Sequence, residues 1–257
     1  MKGLSEEEKR KLIPKNTILL GYLGSIAHGT YRPSSDPDSI DDKDLMGICI
    51  APGETYLGLE NFEQKIIQEG EWDIVVYELK KMIKLLLKNN PNVLSILWLP
   101  KNLYVIKTEY GQSLINNRNY FSSKKAYYSF TGYAYSQLKR MTHLACKGYM
   151  GEKRKRLVDK YGYDTKNASH LVRLLRMGIE FLTDGELHVH REDNTQLVEI
   201  KEGKWALEKI QSYAENLFKL ANEAFIRSSL PNEPDHKKVE MLLIEILSDF
   251  LNHGVIR

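Results

Sequence analysis

Residues 19–50 read LLGYLGSIAHGTYRPSSDPDSIDDKDLMGICI. An apolar, β-rich run over residues 17–23 ends at Gly24-Ser25, which predicts a core strand followed by a tight turn and the first part of a helix. The proline- and serine-rich part that comes next predicts a loop. Asp42-Lys43-Asp44 then leads directly into a second apolar run over residues 45–51. The stretch therefore predicts two core strands separated by a turn and an acidic loop.

The chain changes character near residue 120. Strand-like runs occupy residues 64–68 and 71–77, but strand signals nearly vanish after about residue 105. Helical patterns are predicted over residues 5–11, 78–88, 127–147, 167–183, 204–228 and 236–252, with a basic loop or partial helix over 148–163 and a sole late strand candidate at 186–190. The pattern predicts an α+β fold class, in which a sheet-containing half precedes a mostly helical half.

The composition narrows the class of protein. The 257 residues are 42% hydrophobic and 28% charged, which is ordinary for a soluble globular protein. The longest apolar runs, such as residues 93–99, are too short to cross a bilayer, and the charged N-terminus lacks the apolar core of a signal peptide. Cys49 and Cys146 are far apart and form no CxxC pair. We therefore expect a cytoplasmic protein with no membrane association and no structural zinc.

Positive charge is concentrated in the middle of the chain. Residues 124–176 contain 13 Lys and Arg against three acidic residues, a net charge of +10 in a chain whose total is +3. Seven tyrosines lie in the same segment, and aromatic rings between cations can stack nucleic-acid bases. This combination favours a polyanionic partner such as RNA. The alternative is a solvated helical face whose tyrosines mainly pack between helices.

Three aspartates have the spacing of a metal site. Asp42 and Asp44 are two residues apart on a predicted strand, so their side chains project to the same face. Two oxygen ligands on one face suit Mg²⁺, which then bridges phosphate oxygens. Asp73 stands at the start of a later predicted strand, where a third carboxylate can complete the site and accept a proton.

A rival pair with the same spacing precedes these acids. Asp36-Pro37-Asp38 is also acid-x-acid, but Pro37 cannot donate a hydrogen bond to a strand ladder, which makes a strand there unfavourable. We therefore expect Asp36, Asp38 and Asp41 to be loop residues that form turns or cap a helix. The preferred metal pair is Asp42 with Asp44.

Two further groups suit a phosphate-bearing ligand. A glycine turn lets backbone amides approach phosphate closely, which applies to Gly24 and Ser25. Lys166, His170 and Arg173 are spaced i, i+4, i+7 and so share one face of a predicted helix. The apolar residues of that helix pack the opposite side. Such a cationic stripe suits phosphates. The alternative is that Lys166 and Arg173 are solvated charges and that His170 is a packing residue.

The quoted residues carry a resemblance. GSIAHGT at residues 24–30, DDKDLMG at residues 41–47 and the separate acid Asp73 resemble the DNA polymerase β-type nucleotidyltransferase superfamily. The segments 73–94 and 166–187 extend the resemblance to the predicted RNA ligase-associated nucleotidyltransferases of phages and bacteria. The resemblance covers most of the chain.

The sequence departs from that family pattern in two places. The stretch between Ser25 and Asp42 is several residues longer than usual, because it contains the insert SSDPDSIDD. Relatives often have a basic residue soon after the Gly-Ser turn, whereas this chain has Ile26, Ala27 and His28. His28 is therefore a candidate phosphate contact, and a histidine that makes a local hydrogen bond in the turn is the alternative.

The resemblance implies a catalytic domain over residues 1–120, with a nucleotidyltransferase-type mixed sheet and flanking helices, and a helical substrate-binding domain over residues 121–257. It implies transfer of an NMP from an NTP, ATP included, to an acceptor hydroxyl with release of pyrophosphate. Catalysis and metal binding fall to Asp42, Asp44 and Asp73, with two Mg²⁺ ions expected and Mn²⁺ as the alternative ion. The expected nucleotide-binding residues are Gly24, Ser25, His28, Lys166, His170 and Arg173.

The expected acceptor is RNA or another polyanion. Two other functions stay open at this point. One is a nucleotide- or nucleic-acid-binding module without catalysis, and the other is a nucleotidyltransferase that modifies a protein hydroxyl on Tyr, Ser or Thr. The sequence identifies neither the base of the NTP nor the oligomeric state.

Overall fold

A mixed sheet forms the centre of the computed structural model, which describes residues 4–33, 35–36, 39, 41–142 and 151–254. Its strands are Thr17–Tyr22 (β1), Lys43–Cys49 (β2), Gln64–Glu69 (β3), Trp72–Glu78 (β4) and Tyr104–Lys107 (β5). The strands lie in the order β3-β4-β2-β1-β5. β2 and β4 run parallel, and the other neighbouring pairs are antiparallel. The sheet and the helices around it confirm the predicted α+β fold class.

The helices surround this sheet and account for most of the C-terminal half. The first six are Glu6–Leu12 (α1), Gly24–Ala27 (α2), Gly53–Leu57 (α3), Leu79–Leu86 (α4), Pro91–Leu94 (α5) and Glu109–Asn116 (α6). They are followed by Lys125–Thr142 (α7), Glu152–Tyr161 (α8), Thr165–Asp184 (α9), Asn194–Lys201 (α10), Leu207–Arg227 (α11) and His236–Gly254 (α12). Local sequence sets several ends. Ser5 forms a capping box at the start of α1, and Gly185 ends α9 at a φ of +74°.

Three local predictions differ from the structure. The strand predicted at residues 186–190 is wrong, because this segment is irregular. Leu187 and Val189 alternate as in a strand and are buried, yet within the described ranges they pair with no neighbouring strand. β5 and the helices α3, α5, α6 and α10 were not predicted. Asp42 lies one residue before β2 rather than on it. The end of the helix predicted over 127–147, together with Cys146, lies outside the described residues.

Two clusters of buried apolar side chains cover the two faces of the sheet. One face of the sheet packs against α1 through Leu20, Leu45, Ile74 and Leu12. The other face belongs to a larger cluster that runs continuously from β1 and β2 into α7, α9, α11 and α12. Because this larger cluster contains residues from both sides of residue 120, the division into two domains stays a prediction.

No helix in the described ranges has the length and apolarity needed to span a bilayer. Cys49 is a free thiol buried on β2, and burial raises its pKa to about 12. A thiol of this kind is inert, so we assign Cys49 to the core.

Candidate active site

The turn after β1 lies directly against an acid on β2. Gly24 has a φ of +56°, and a Cβ atom at this position would lie 1.9 Å from Asp44 Oδ2. The backbone N–H of Leu23 donates to the carbonyl of Asp44 at 2.9 Å. Only glycine fits such a close approach in this conformation. The predicted Gly-Ser turn and the predicted metal ligand Asp44 are therefore in contact.

Parallel pairing of β2 with β4 brings two of the predicted acids together. Asp44 and Asp73 are direct register partners on these adjacent strands. Neighbouring strands lie about 4.8 Å apart, so the two carboxylates project side by side. Asp44 is half-buried and Asp73 is exposed. Asp42, just before β2, adds its charge to the same region.

The surroundings of Asp44 act on its charge in opposite directions. Burial raises the pKa of Asp44 to about 6, the ammonium of Lys166 lowers it, and Asp73, Asp42 and Asp41 raise it. The acids therefore lie close enough to repel one another. A cation between them would relieve this repulsion and favour the charged form of Asp44.

Lys43 separates the two predicted ligands in sequence but points away from them. Its ammonium pairs with the carboxylate of Glu71 and lies 5.0 Å from the centre of the Trp72 ring. Successive strand residues alternate between faces, so the lysine belongs to the α1 side and Asp44 to the other. This alternation keeps a positive charge of the strand itself out of the acidic group.

The rival acids of the loop have structural partners. Asp36 accepts a hydrogen bond from Arg32 Nε at 2.8 Å, as expected for a loop acid. Asp38 lies outside the described residues. Asp41 is buried, and its Oδ2 accepts from Lys201 Nζ at 2.5 Å. The loop assignment of Asp36 and Asp41 therefore agrees with their contacts, and neither contact competes with Asp42 or Asp44.

All nine predicted site residues line one cavity of about 1010 Å³. They are Gly24, Ser25, His28, Asp42, Asp44, Asp73, Lys166, His170 and Arg173. The first six come from the sheet half and the last three from α9, so the cavity lies between the two halves of the chain. Their shared location is an observation, and the role of each residue stays a prediction.

The α9 side of the cavity carries a cation, Arg173. Burial, together with the charge of Arg191, lowers the pKa of Arg173 to about 10. Within the described ranges its guanidinium makes one hydrogen bond, to the sulfur of Met177 at 3.4 Å, and contacts no carboxylate. A partly buried guanidinium without a counter-ion is destabilising on its own and is suited to an anionic ligand.

Two histidines beside Arg173 are neutral. Burial, followed by the charge of Arg173, holds the pKa of both His28 and His170 well below the usual range. His28 Nδ1 lies 2.8 Å from the carbonyl of Val189. A carbonyl only accepts, so Nδ1 carries the proton and Nε2 is left as an acceptor. This bond is not the local one within the turn that was the alternative for His28, because Val189 is 161 residues away in the sequence.

The donor set fits Mg²⁺ only together with a ligand. Among the described residues, no group of three or more His, Cys, Asp and Glu side chains forms a ready-made metal site. Magnesium is usually held by one or two carboxylates plus substrate phosphates and water rather than by a complete protein cage. Asp44 and Asp73 on adjacent strands, with Asp42 beside them, have this chemistry.

Sequence reasoning missed Lys201, which lines the same cavity. Lys201 comes from α10, which was not predicted, and its partner Asp41 is 160 residues away. Tyr128, Tyr133 and Arg140 line the cavity from α7. These tyrosines and Arg140 belong to the basic segment, but their place beside the acids depends on helix packing that no local pattern shows.

The family of this chain is identified by comparing its sequence and its fold with those of known proteins. No curated protein matched the sequence. Among solved structures, a nucleotidyltransferase-like protein from Exiguobacterium sibiricum 255-15 is similar over 97% of this chain and 90% of its own, with 11% identity and a TM-score of 0.32. That similarity is too distant to carry an argument about function. The sequence also matches a family profile over residues 2–244. The chain belongs to the RNA repair pathway DNA polymerase beta family, which confirms its resemblance to enzymes of the nucleotidyltransferase type.

Proposed function

We propose that this enzyme is a Mg²⁺-dependent nucleotidyltransferase that moves an NMP from an NTP to an acceptor hydroxyl on RNA. The observation that carries the proposal is the register pairing of Asp44 with Asp73, directly beside the Gly24 turn and in one cavity with Arg173, which contacts no carboxylate within the described ranges. A metal-bound triphosphate requires acids that hold the metal, a backbone turn that approaches the phosphates closely and a cation that pairs with them.

The cationic side of the cavity would hold the triphosphate. The guanidinium of Arg173 can bind phosphate oxygens as the counter-ion that the described part of the chain does not provide. Lys166 lies close enough to influence Asp44 and adds a second positive charge. Neutral His28 and His170 can exchange hydrogen bonds with the nucleotide without adding charge. Ser25 offers a hydroxyl at the turn.

The carboxylates would act on the acceptor. Mg²⁺, with Mn²⁺ as the alternative ion, would be held by Asp42, Asp44 and Asp73, and when bound it offsets charge on phosphate oxygens and lowers the pKa of a nearby hydroxyl. The acceptor oxygen bonds to the α-phosphorus, the bond to the bridging oxygen breaks, and pyrophosphate leaves. Asp73, exposed at the cavity, accepts the hydroxyl proton.

Two features support RNA as the acceptor. The segment 124–176 carries a net charge of +10, and its helices α7 and α9 line the cavity. Clustered cations of this kind favour a polyanion. The family description refers to an RNA repair pathway, which points in the same direction.

The direct test uses labelled nucleotides. The protein is incubated with Mg²⁺, total RNA and each of the four NTPs, labelled on either the α- or the γ-phosphate. We expect label from one or more α-labelled NTPs to enter RNA, no label from the γ-position, and loss of labelling with EDTA. Label in added protein instead of RNA would identify a protein-modifying enzyme. NTP binding without Mg²⁺ dependence and without any transfer would contradict the proposal and indicate a binding module.

Replacing Gly24 with Ala should reduce kcat/KM by on the order of 100-fold. The added Cβ would overlap Asp44 Oδ2, and small displacements of catalytic groups have effects of this size. Gly70→Ala is the matched control, because Gly70 also has a positive φ, +64°, but a Cβ there would meet nothing within 4 Å. Both variants should lose about 1–2 kcal/mol of stability. Equal activity of the two variants would contradict the contact between the turn and Asp44.

A further inference from the structure

The cavity extends beyond the residues assigned to the triphosphate. One side of α7 lines it, through Tyr128, Ser129, Gly132, Tyr133, Ser136, Gln137 and Arg140. Asn92 and Ser95 line it from α5 and the turn after α5. We define the α7 wall as Tyr128, Tyr133 and Arg140, the aromatic and charged members of this surface. None of them has a role in the transfer chemistry described above.

The α7 wall and Asp73 line the same cavity. Gly24 follows β1, Asp44 is on β2 and Asp73 is on β4, and these strands are consecutive neighbours in the order β4-β2-β1. His28, next to the β1 turn, interacts with the charge of Arg173. Tyr133 acts on the pKa of Tyr77 on β4, and its hydroxyl accepts a hydrogen bond from Asn90, in the turn before α5, at 3.2 Å. Tyr133 is therefore close to the strand that carries Asp73, whereas His28 is close to the end of β1.

Exposed rings give the α7 wall a surface for stacking. Tyr128 is 65% exposed and Tyr133 is 37% exposed. The Tyr128 ring packs against Tyr127 and Phe225 in T-shaped pairs, with ring centres 5.2 and 5.6 Å away. Between the two tyrosines in sequence, a Cβ atom at Gly132 would meet nothing within 4 Å, so this part of the α7 surface is open. Exposed rings on an open helix surface suit planar ligands.

The charge on this side of the cavity is positive. Arg140 is exposed and has no acidic partner within the described ranges. The sequence of α7 contains Lys125, Lys139 and Arg140 but no Asp or Glu. Exposed aromatic rings and a guanidinium along one cavity wall match a single-stranded nucleic acid, whose bases stack and whose phosphates attract cations.

We propose that the α7 wall is the subsite for the end of a single-stranded RNA acceptor. Tyr128 and Tyr133 stack its last bases, and Arg140 contacts a backbone phosphate, which directs the terminal hydroxyl toward Asp73. This subsite rests on the proposed transfer reaction, which it deepens by defining how the acceptor is held. Duplex RNA offers no free base faces along its length, so it fits the wall less well.

The proposal is tested by RNA binding in the absence of NTP. Fluorescence anisotropy of the full chain with a 5′-labelled 12-nucleotide single-stranded RNA measures Kd. We expect Tyr128→Ala and Tyr133→Ala each to weaken binding by about 5- to 100-fold, as loss of a stacking ring does. Tyr128→Phe and Tyr133→Phe should bind as the wild type does. Arg140→Gln should reduce the slope of log Kd against log salt concentration by about the amount that one phosphate contact contributes.

Tyr135→Ala is the matched control. Tyr135 lies on the same helix and is 52% exposed, but it does not line the cavity and packs against Lys139. Its loss should leave RNA affinity unchanged. Wild-type RNA affinity in both alanine variants, equal loss with Tyr135→Ala, or tighter binding of duplex than single-stranded RNA would each overturn the proposal.

Nucleotide binding separates this proposal from the transfer reaction. Calorimetric titration with Mg²⁺ and NTP should give the same affinity for the wild type and for Tyr128→Ala. A loss of NTP affinity in place of RNA affinity would show that the rings hold the nucleotide base and would overturn the acceptor subsite. Because RNA binding needs no turnover, a failure of the subsite leaves the labelling experiment intact, and the reverse also holds.

Discussion

Replacing Asp44 with Asn is expected to reduce turnover by on the order of 1,000-fold while the fold survives. A carboxylate that supports a bound cation contributes several kcal/mol to catalysis, and each 1.36 kcal/mol corresponds to a factor of ten in rate. The amide keeps the shape of the side chain, and the backbone carbonyl that holds Leu23 is unchanged. Burial already raises the pKa of Asp44, so a neutral side chain should not destabilise the protein.

The measurement is pyrophosphate release together with thermal unfolding. Asp42→Asn and the double variant should also lose turnover, with the double variant inactive. Asp36→Asn is the matched control, because Asp36 belongs to the rival acid pair and contacts Arg32 in the loop. We expect near wild-type turnover for this control. An unchanged rate in the Asp42/Asp44 double variant would refute the assignment, and selective loss in Asp36→Asn would move the metal pair into the loop.

Local sequence was enough for the elements that form the site. The apolar runs of β1 and β2 and the glycine turn between them are short-range patterns, and so is the leucine periodicity of α9. Strand alternation explains why Lys43 and Asp44 point to opposite sides of the sheet, but Asp42 lies one residue before β2, so the prediction that it shares the strand with Asp44 was wrong. The pairing of β2 with its partner strand could not be predicted in this way. Nothing in the sequence specified that Asp73 would be in register with Asp44, because register depends on how β4 pairs across the sheet.

Several of the misses depend on distant partners. β5 is a four-residue strand at the edge of the sheet, and it pairs with β1, 80 or more residues earlier in the chain. The segment 186–190 has the alternation of a strand, but the carbonyl of Val189 accepts from His28 rather than from a neighbouring strand. Lys201 of α10 reaches Asp41 across 160 residues. Patterns within ten or twenty residues contain no information about such contacts.

Replacing Lys201 with Met should destabilise the protein by about 3–5 kcal/mol, the usual cost of removing one member of a buried ion pair. Lys201 and Asp41 have side chains that are 8% and 1% exposed. Lys201 also donates to the carbonyl of Thr30 at 3.1 Å. Without the ammonium, the carboxylate of Asp41 would retain one hydrogen bond, from the Arg32 amide at 3.0 Å. Its Oδ1 has no partner within the described ranges even now.

Urea denaturation at neutral pH measures this loss, and a double variant separates charge from packing. In Asp41→Asn/Lys201→Met the buried charge is absent, so the double variant should be more stable than Lys201→Met alone. Lys204→Met is the matched surface control, since its ion pair with Glu202 lies at the surface, where water and salt screen the two charges. If Lys201→Met costs no more than this control, the ion pair does not anchor the loop. If the prediction holds, Asp41 is fixed by the helical half, and the position of the predicted metal ligand that follows it, Asp42, depends on a lysine far away in sequence.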